Sequence, residues 1–457
     1  MTKHYDAIVI GSGQGGTPLV QAFAKAGKKT ALVERDQIGG TCINYGCTPT
    51  KTMVASAEIA YEARRAAEYG VHVGAISIDM AKVRERKREI VKSFRSGSEK
   101  LAENTEHLDL LRGEARFTSN KSLEVALRGG ETIEVKADLI VIDTGSRSAT
   151  PKIEGLSEVS YLDSTSIMEL DVVPERLIVL GGGYVGLEFG QMFRRFGSQV
   201  TIVHRGSQLL GHEDPDIAAQ VLSILREDGI EVHTGAMAKR IRKRDETIEV
   251  DIGLESPIHG THLMVAAGRV PNTEKLGLGR AGVKTDSRGF VTVNSKLETN
   301  VPGIYAIGDV NGGPMFTHIS YDDFRILRAN LLEGNAANTE GRMVPYTVFI
   351  DPQLGRIGRT ETELRKSGRN VQVATMPMSR VARALETDQP RGLMKAVVDA
   401  ETKEILGFAA LGMQGGEIAA MVQIAMMGHL PYTALRDGIF SHPTLSEALN
   451  NLFTTIK

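Results

Sequence analysis

A strand, a glycine turn and a helix follow one another twice in this chain, at residues 6–26 and again at residues 176–196, and that repeat restricts the fold more than any other feature. In the first copy the apolar run of residues 6–10 breaks at Gly11, and Gly11, Gly13 and Gly16 open a helical stretch that continues to Ala26. Gly11 permits the tight turn, Gly13 lets a diphosphate approach the backbone, and Gly16 lets the helix pack on the strand, while the helix start favours phosphate charge. The next strand, residues 29–33, ends at Glu34, a carboxylate placed to accept hydrogen bonds from a ribose diol. Glycine turns are common, so the fingerprint gains its force from the strand, helix and acid that frame it.

The second copy reads as a strand over residues 176–180, then Gly181, Gly183 and Gly186, then a helix to Phe196. A second dinucleotide site is therefore expected. Its following strand, residues 199–203, runs into His204 and Arg205, where an NAD site usually carries an acid. Arg205 suits a 2′-phosphate, which favours NADPH with NADH still open to the site; the competing reading is a solvated loop arginine.

Both cysteines of the chain, Cys42 and Cys47, stand five apart in GGTCINYGCTPTK, close after the first dinucleotide unit. One isolated pair would staple little of so large a protein, so redox exchange explains it better than a structural disulfide. Structural zinc normally needs four ligands, and no second Cys or His pair stands at finger spacing, so no metal site is assigned. Two buried thiols without chemistry are the remaining alternative.

A chain of 457 residues with 41% hydrophobic content is long enough for about three domains with separate cores. Lys plus Arg (54) nearly balances Asp plus Glu (56), and the net charge of -2 gives no support to a nucleic-acid partner. The first residues enter a strand without the apolar core or small-residue cleavage site of a signal peptide. No apolar run reaches membrane-spanning length, so a cytoplasmic protein is expected.

Residues 52–69 and 80–103 read as helices, the second with interleaved charges that mark a solvated face. Residues 139–144 and 303–307 read as buried strands ending at Gly145 and at Gly308 and Asp309. Strand ends of this kind face the crevice of an open α/β sheet, so Asp309 suits flavin ribityl hydroxyls, although it would equally cap the next turn. From Pro345 onward the pattern changes to strands at residues 346–350, 371–376 and 393–399, then helices from Glu417, which reads as a separate α+β domain.

Five segments in order, GSGQGG, GGTCINYGCTPTK, GGGYVGLE, IYAIGDV and the C-terminal SHPTLSE, make the chain resemble the flavoprotein disulfide reductases along its whole length. This is the family of glutathione reductase, dihydrolipoamide dehydrogenase and mercuric reductase. The resemblance implies an α/β fold with two Rossmann-like domains and a C-terminal α+β dimerisation domain. Its parts would be an FAD domain over residues 1–150 and 271–340, a nicotinamide domain over 151–270 and an interface domain over 341–457. It implies FAD on the first site, with Gly40, Thr41, Gly145, Gly268 and Gly308 among the cofactor contacts, and NADPH or NADH on the second.

Roles follow from the same motifs. Cys47 would be the thiol nearest the flavin and Cys42 the interchange thiol, both at the start of the helix that Pro49 helps to open, where amide dipoles favour thiolate. Lys51 would approach the flavin ring and pair with Glu188, and Tyr184 would gate the nicotinamide pocket unless it merely packs on the turn. His442 and Glu447 match the family's acid–base dyad, with the histidine supplied by the other subunit of a homodimer.

The acceptor is less directly written. Mercuric reductase uses a further C-terminal cysteine pair, dihydrolipoamide dehydrogenase an acid near position 204 or 205, and neither is present. The segments NGGPMFTHISYDDFRI, VPYTVFIDPQLGRIG and LPYTALRDGIFSHPTLSEALNNLF resemble the bacterial reactive-chlorine-resistance branch, associated with copper(II) reduction. The implied activity is NAD(P)H-driven reduction of a thiophilic metal ion, Cu(II) or Hg(II)-like, or of a small disulfide. A dihydrolipoamide dehydrogenase-type enzyme and a non-catalytic flavin-binding subunit are the alternatives. Met413, Met421, Met426 and Met427 suit core or dimer packing better than a copper site.

Overall fold

The computed structural model describes residues 2–456, which divide into two compact units. The first unit comprises residues 1–52, 82–149 and 268–342. Its parallel strands lie in the order Ile304–Ala306, Thr132–Ile142, Lys3–Ile10, Thr30–Glu34 and Leu108–Ser119. Strand Lys3–Ile10 pairs on both edges, with Ala7 opposite Thr30 on one side and Leu139 on the other. Side chains of a strand alternate between faces, so Ala7 and Val9 enter one core while Ile8 and Ile10 enter another.

Both faces of this sheet are covered, which explains the near-continuous apolar runs. On one face, Leu19, Val20, Phe23 and Ala24 of helix Gly16–Lys25 pack with Phe324 and Leu327 of helix Thr317–Leu332. Each such buried Leu or Phe contributes about 1.5–3 kcal/mol. On the other face, Leu108–Ser119 and Thr132–Ile142 run past the parallel sheet and pair antiparallel with Ser122–Leu127, adding Phe117, Leu123 and Val125 to the core. The carboxyl edge of the parallel sheet thus gathers Gly11, Glu34, Asp143 and Gly308 at one end.

The second unit comprises residues 53–81, 150–267 and 343–457. It holds a four-stranded parallel sheet in the order His262–Val265, Arg176–Leu180, Gln199–Val203, Glu231–His233. A separate antiparallel sheet runs Tyr346–Val348, Gln353–Gly358, Ile405–Gly412, Leu393–Asp399, Val371–Pro377, covered by helices Gly415–Met427 and Ala448–Phe453. Met413, Met421 and Met426 pack into this core, whereas Met427 is exposed. Among the described residues no helix is long and apolar enough to cross a membrane.

Candidate active site

The two glycine turns are built alike. Gly11 and Gly181 have φ of 104° and 133°, and a Cβ on either would lie 2.2 Å from a carbonyl oxygen of the neighbouring strand's exit, Asp143 or Ala266. Only glycine fits there. At Gly16 and Gly186 a Cβ would strike the carbonyl oxygen of Gly11 or Gly181, so these positions set how closely helix approaches strand. Gly183 differs, because no atom lies within 4 Å of the place its Cβ would take; that open cradle fits a dinucleotide.

In the first unit Glu34 closes the turn. One carboxylate oxygen accepts from the Ser12 N–H at 2.9 Å and the Ser12 hydroxyl at 2.6 Å, and the other accepts from the Asp36 N–H at 2.7 Å. The Ser12 hydroxyl also accepts from the Gly39 N–H, and Gly40 lies so close that its Cβ would fall 2.8 Å from Gly13 Cα. The cysteine-bearing segment is thereby stitched to the turn.

That segment departs from the sequence expectation in one respect. Cys42 and Cys47 do not open one helix: Cys42 lies in the short helix Gly40–Asn44, whereas Cys47 begins helix Cys47–Arg65. The break is at Gly46, where a Cβ would come within 3.0 Å of the Thr41 carbonyl oxygen. The first helix is pinned by Asn44, which donates to the Ile38 and Gly40 carbonyls, and Arg95 in turn donates to Asn44.

The two sulfurs are hydrogen-bonded to each other, and Thr317 joins them: its Oγ1 is 3.1 Å from Cys47 Sγ and it also bonds Cys42. The bond to Cys47, burial and the charge that Cys47 can carry all push the Cys42 thiol far up, while the Thr317 bond works in the opposite direction. The surroundings of Cys42 thus oppose its ionisation. Thr317 is the first residue of helix Thr317–Leu332, so two helix starts meet at the thiol pair and favour negative charge on it.

At the sheet's edge Gly308 donates its N–H to Asp323, which is paired with Arg342 at 2.6 Å. Asp309 accepts from the Ser146 hydroxyl, and Arg269 donates to that hydroxyl at 2.7 Å and lies 3.7 Å from Asp309. The Gly145 carbonyl accepts from Asn272, and the Gly268 carbonyl from Ala149, which ties the returning chain beside the site. Thr41 is exposed, its carbonyl accepting from the Tyr45 N–H.

Asp143, which the sequence did not single out, lies beneath the first turn. Its Oδ2 accepts from the Gly16 N–H at 2.7 Å, and a Cβ on Gly13 or Gly16 would sit 2.6 Å from that oxygen. Burial pushes its carboxyl well above the usual carboxylate range; the Gly16 bond offsets part of this, and Asp309, Asp323 and Glu34 add to it. With the folded value raised, the stability it contributes is fully present below the unfolded value near pH 4 and is lost as pH rises through the folded value. Asp143→Asn removes that loss while preserving shape. The variant is expected to melt about 1–3 °C above wild type at pH 8 and level with it at pH 4, read by scanning calorimetry; a difference between variant and wild type that is the same at both pH values would overturn the raised carboxyl value.

In the second unit Tyr184 is the first residue of helix Tyr184–Phe196 and is about one-third exposed, while Glu188, one turn on, is buried and accepts from the Phe349 N–H at 2.8 Å. Arg205 is exposed at the end of its strand. His442 Nδ1 meets both oxygens of Glu447, at 3.1 and 2.8 Å, which leaves Nε2 for proton exchange. Leu445, Leu449 and Leu452 anchor this turn in the core.

Residues 5–323 match the pyridine nucleotide-disulphide oxidoreductase family and residues 344–453 its dimerisation domain. The chain belongs to this family. It is 38% identical to the probable pyridine nucleotide-disulfide oxidoreductase RclA of Escherichia coli (strain K12), over 99% of both chains. It is also 35% identical to a mercuric reductase of Staphylococcus aureus, covering 97% of this chain and 81% of the relative. With a dihydrolipoyl dehydrogenase of Thermus scotoductus the identity is 37%, over 98% and 96%. Among solved structures, the Cu(II) complex of the HOCl-induced flavoprotein disulfide reductase RclA from Escherichia coli superposes with a TM-score of 0.92 at 38% identity, over the whole of both chains. The protein is thus a flavoprotein oxidoreductase that uses FAD and a nicotinamide dinucleotide, with the fold the motifs implied.

Proposed function

We propose that this protein is an NADPH-driven reductase in which the Cys42–Cys47 pair delivers electrons to a thiophilic metal ion, Cu(II) or Hg(II)-like, or to a small disulfide. The observation that carries the reading is the hydrogen-bonded sulfur pair bridged by Thr317 at two helix starts, a place suited to storing two electrons as a dithiol. FAD, when bound, supplies the passage of two electrons from the nicotinamide to the disulfide. Gly11, Gly13, Gly16, Gly40 and Thr41 would receive its diphosphate end, Glu34 its ribose and Asp309 its ribityl chain, beside Gly145, Gly268 and Gly308. Gly181, Gly183 and Gly186 would hold NADPH, with Arg205 on the 2′-phosphate and Tyr184 over the nicotinamide. Lys51 would stand beside the flavin ring, paired with Glu188.

The balance is closed. One NADPH, one proton and the disulfide give NADP⁺ and two thiols; two thiols and two Cu(II) give the disulfide, two Cu(I) and two protons. Cys42 meets the acceptor, and His442, oriented by Glu447 and supplied from the other subunit of a homodimer, takes the Cys42 proton. The domain boundaries stay those implied by the motifs, with 1–150 and 271–340 for FAD, 151–270 for NADPH and 341–457 for the dimer, in a cytoplasmic enzyme. Copper is favoured among the metals because the similar RclA structure described above is a Cu(II) complex.

An anaerobic panel tests the reading. With NADPH, Cu(II) or Hg(II) is expected to be reduced with kcat/KM at least about tenfold above lipoamide and glutathione disulfide, roughly 1.4 kcal/mol of discrimination. Preference for lipoamide would replace the metal reading with a dihydrolipoamide dehydrogenase-type one.

A further inference from the structure

The two dinucleotide turns share one register, which allows them to be compared atom by atom. Gly11 donates its N–H to the Val33 carbonyl at 2.8 Å, and Gly181 to the Val203 carbonyl at 2.9 Å, so Ser12 corresponds to Gly182 and Glu34 to His204. In the first turn the Ser12 N–H is held by the Glu34 carboxylate at 2.9 Å. In the second the Gly182 N–H is held by His204 Nδ1 at 3.1 Å. An imidazole thus does the work that a carboxylate does in the first turn.

The ring is closely housed. A Cβ at Gly182 would lie 2.7 Å from its Cγ, and one at Gly206 would lie 2.6 Å from its Nε2. Its second hydrogen bond is with the backbone of Gln208, whose carbonyl accepts. Nδ1 accepts from Gly182, so it bears no proton, and the neutral ring carries its proton on Nε2. Both nitrogens are used in one neutral tautomer.

Resting on the NADPH reading above, we propose that His204 is the positioning residue that selects the nucleotide: a neutral imidazole that latches the glycine turn through Gly182 and keeps the ribose side of the site free of negative charge. A carboxylate there would close the turn equally well but would face the 2′-phosphate with like charge, and it would accept from the 2′-hydroxyl of NADH. The same geometry makes the latch sensitive to acid. Protonation at Nδ1 sets an N–H against the Gly182 N–H and opens the turn for either nucleotide.

The groups facing the ring agree with a neutral state. Arg205 follows it in sequence, and on the adjacent strand, whose His233 carbonyl accepts from the His204 N–H, His233 itself is engaged by Glu231 at 2.9 Å. The glycine turn and the Gln208–Leu209 segment bring no charge to it. Burial and the Arg205 charge push the His204 imidazolium below the ordinary histidine value, and the Gln208 bond offsets part of this.

The experiment uses the flavin-loaded enzyme, with kcat/KM for NADPH and NADH and equilibrium titration of NADP⁺ and NAD⁺. His204→Glu is expected to move the NADPH:NADH ratio of kcat/KM at least about thirtyfold toward NADH, through KM and not kcat, with flavin content unchanged. His204→Asn, which keeps an acceptor for Gly182 but cannot take up a proton, is expected to leave the ratio within about threefold. Wild type is expected to show a rise in NADH KM in acid, which that variant should abolish, and NADH carries no 2′-phosphate to titrate. An unchanged ratio in His204→Glu, or the same acid rise in His204→Asn, overturns the proposal. The NADPH reading fails separately, if wild type prefers NADH or if Arg205→Ala leaves NADPH binding intact, because the change produced by His204→Glu is measured relative to wild type in either case.

Discussion

Cys42→Ala is expected to lower turnover of Cu(II) or a disulfide acceptor by about 10³-fold or more while leaving the first reduction of bound FAD by NADPH within about threefold of wild type. On the proposed relay the two halves separate, because Cys42 is the thiol that meets the acceptor. The glycine turns, Glu34 and Asp309, which that reading gives to the dinucleotides, keep their hydrogen bonds in the variant. What disappears is the sulfur that must form and break the bond to the acceptor. Stopped-flow bleaching of the flavin band measures the first half, and bathocuproine trapping of Cu(I) measures the second. Turnover that survives the substitution would mean electrons reach the acceptor without the thiol pair, and the sulfur relay would have to be abandoned.

What could be read before the fold was known was whatever chemistry is local in the chain. Each glycine turn is contained in a few residues, the Cys42–Cys47 pair in six, and the His442–Glu447 contact in another six, so short segments carried them, the last through the family resemblance of SHPTLSE and not through its spacing. Contacts closed by the fold were silent. Thr317 reaches Cys47 across 270 positions, and Asp143 reaches Gly16 across 127, and neither stands in a pattern that marks it. Arg95 was submerged in a helix whose interleaved charges look uniformly solvated, yet it donates to Asn44 and so fixes the segment that bears Cys42. His204 was visible as the missing acid, but only the shared register of the two turns shows what replaces it.

The second large effect belongs to the dyad. His442→Gln is expected to slow acceptor reduction by about 10²–10⁴-fold, the range of a positioned general acid–base. Such a base has work to do because the bond to Cys47 and burial both oppose the ionisation of Cys42. Glu447 grips Nδ1 through two oxygens and so supports the imidazolium formed when Nε2 takes that proton. Glu447→Gln should therefore give a smaller loss, because the amide oxygen can still accept from Nδ1 and hold the ring in place. The origin of the histidine is settled by mixing two inactive chains, Cys42→Ala and His442→Gln, in one dimer. If each site borrows its histidine, one site of the mixed dimer has an intact Cys42 and an intact His442, and activity returns. If the histidine serves its own chain, every site lacks one partner or the other. A mixed dimer as inactive as its parents would refute the shared site.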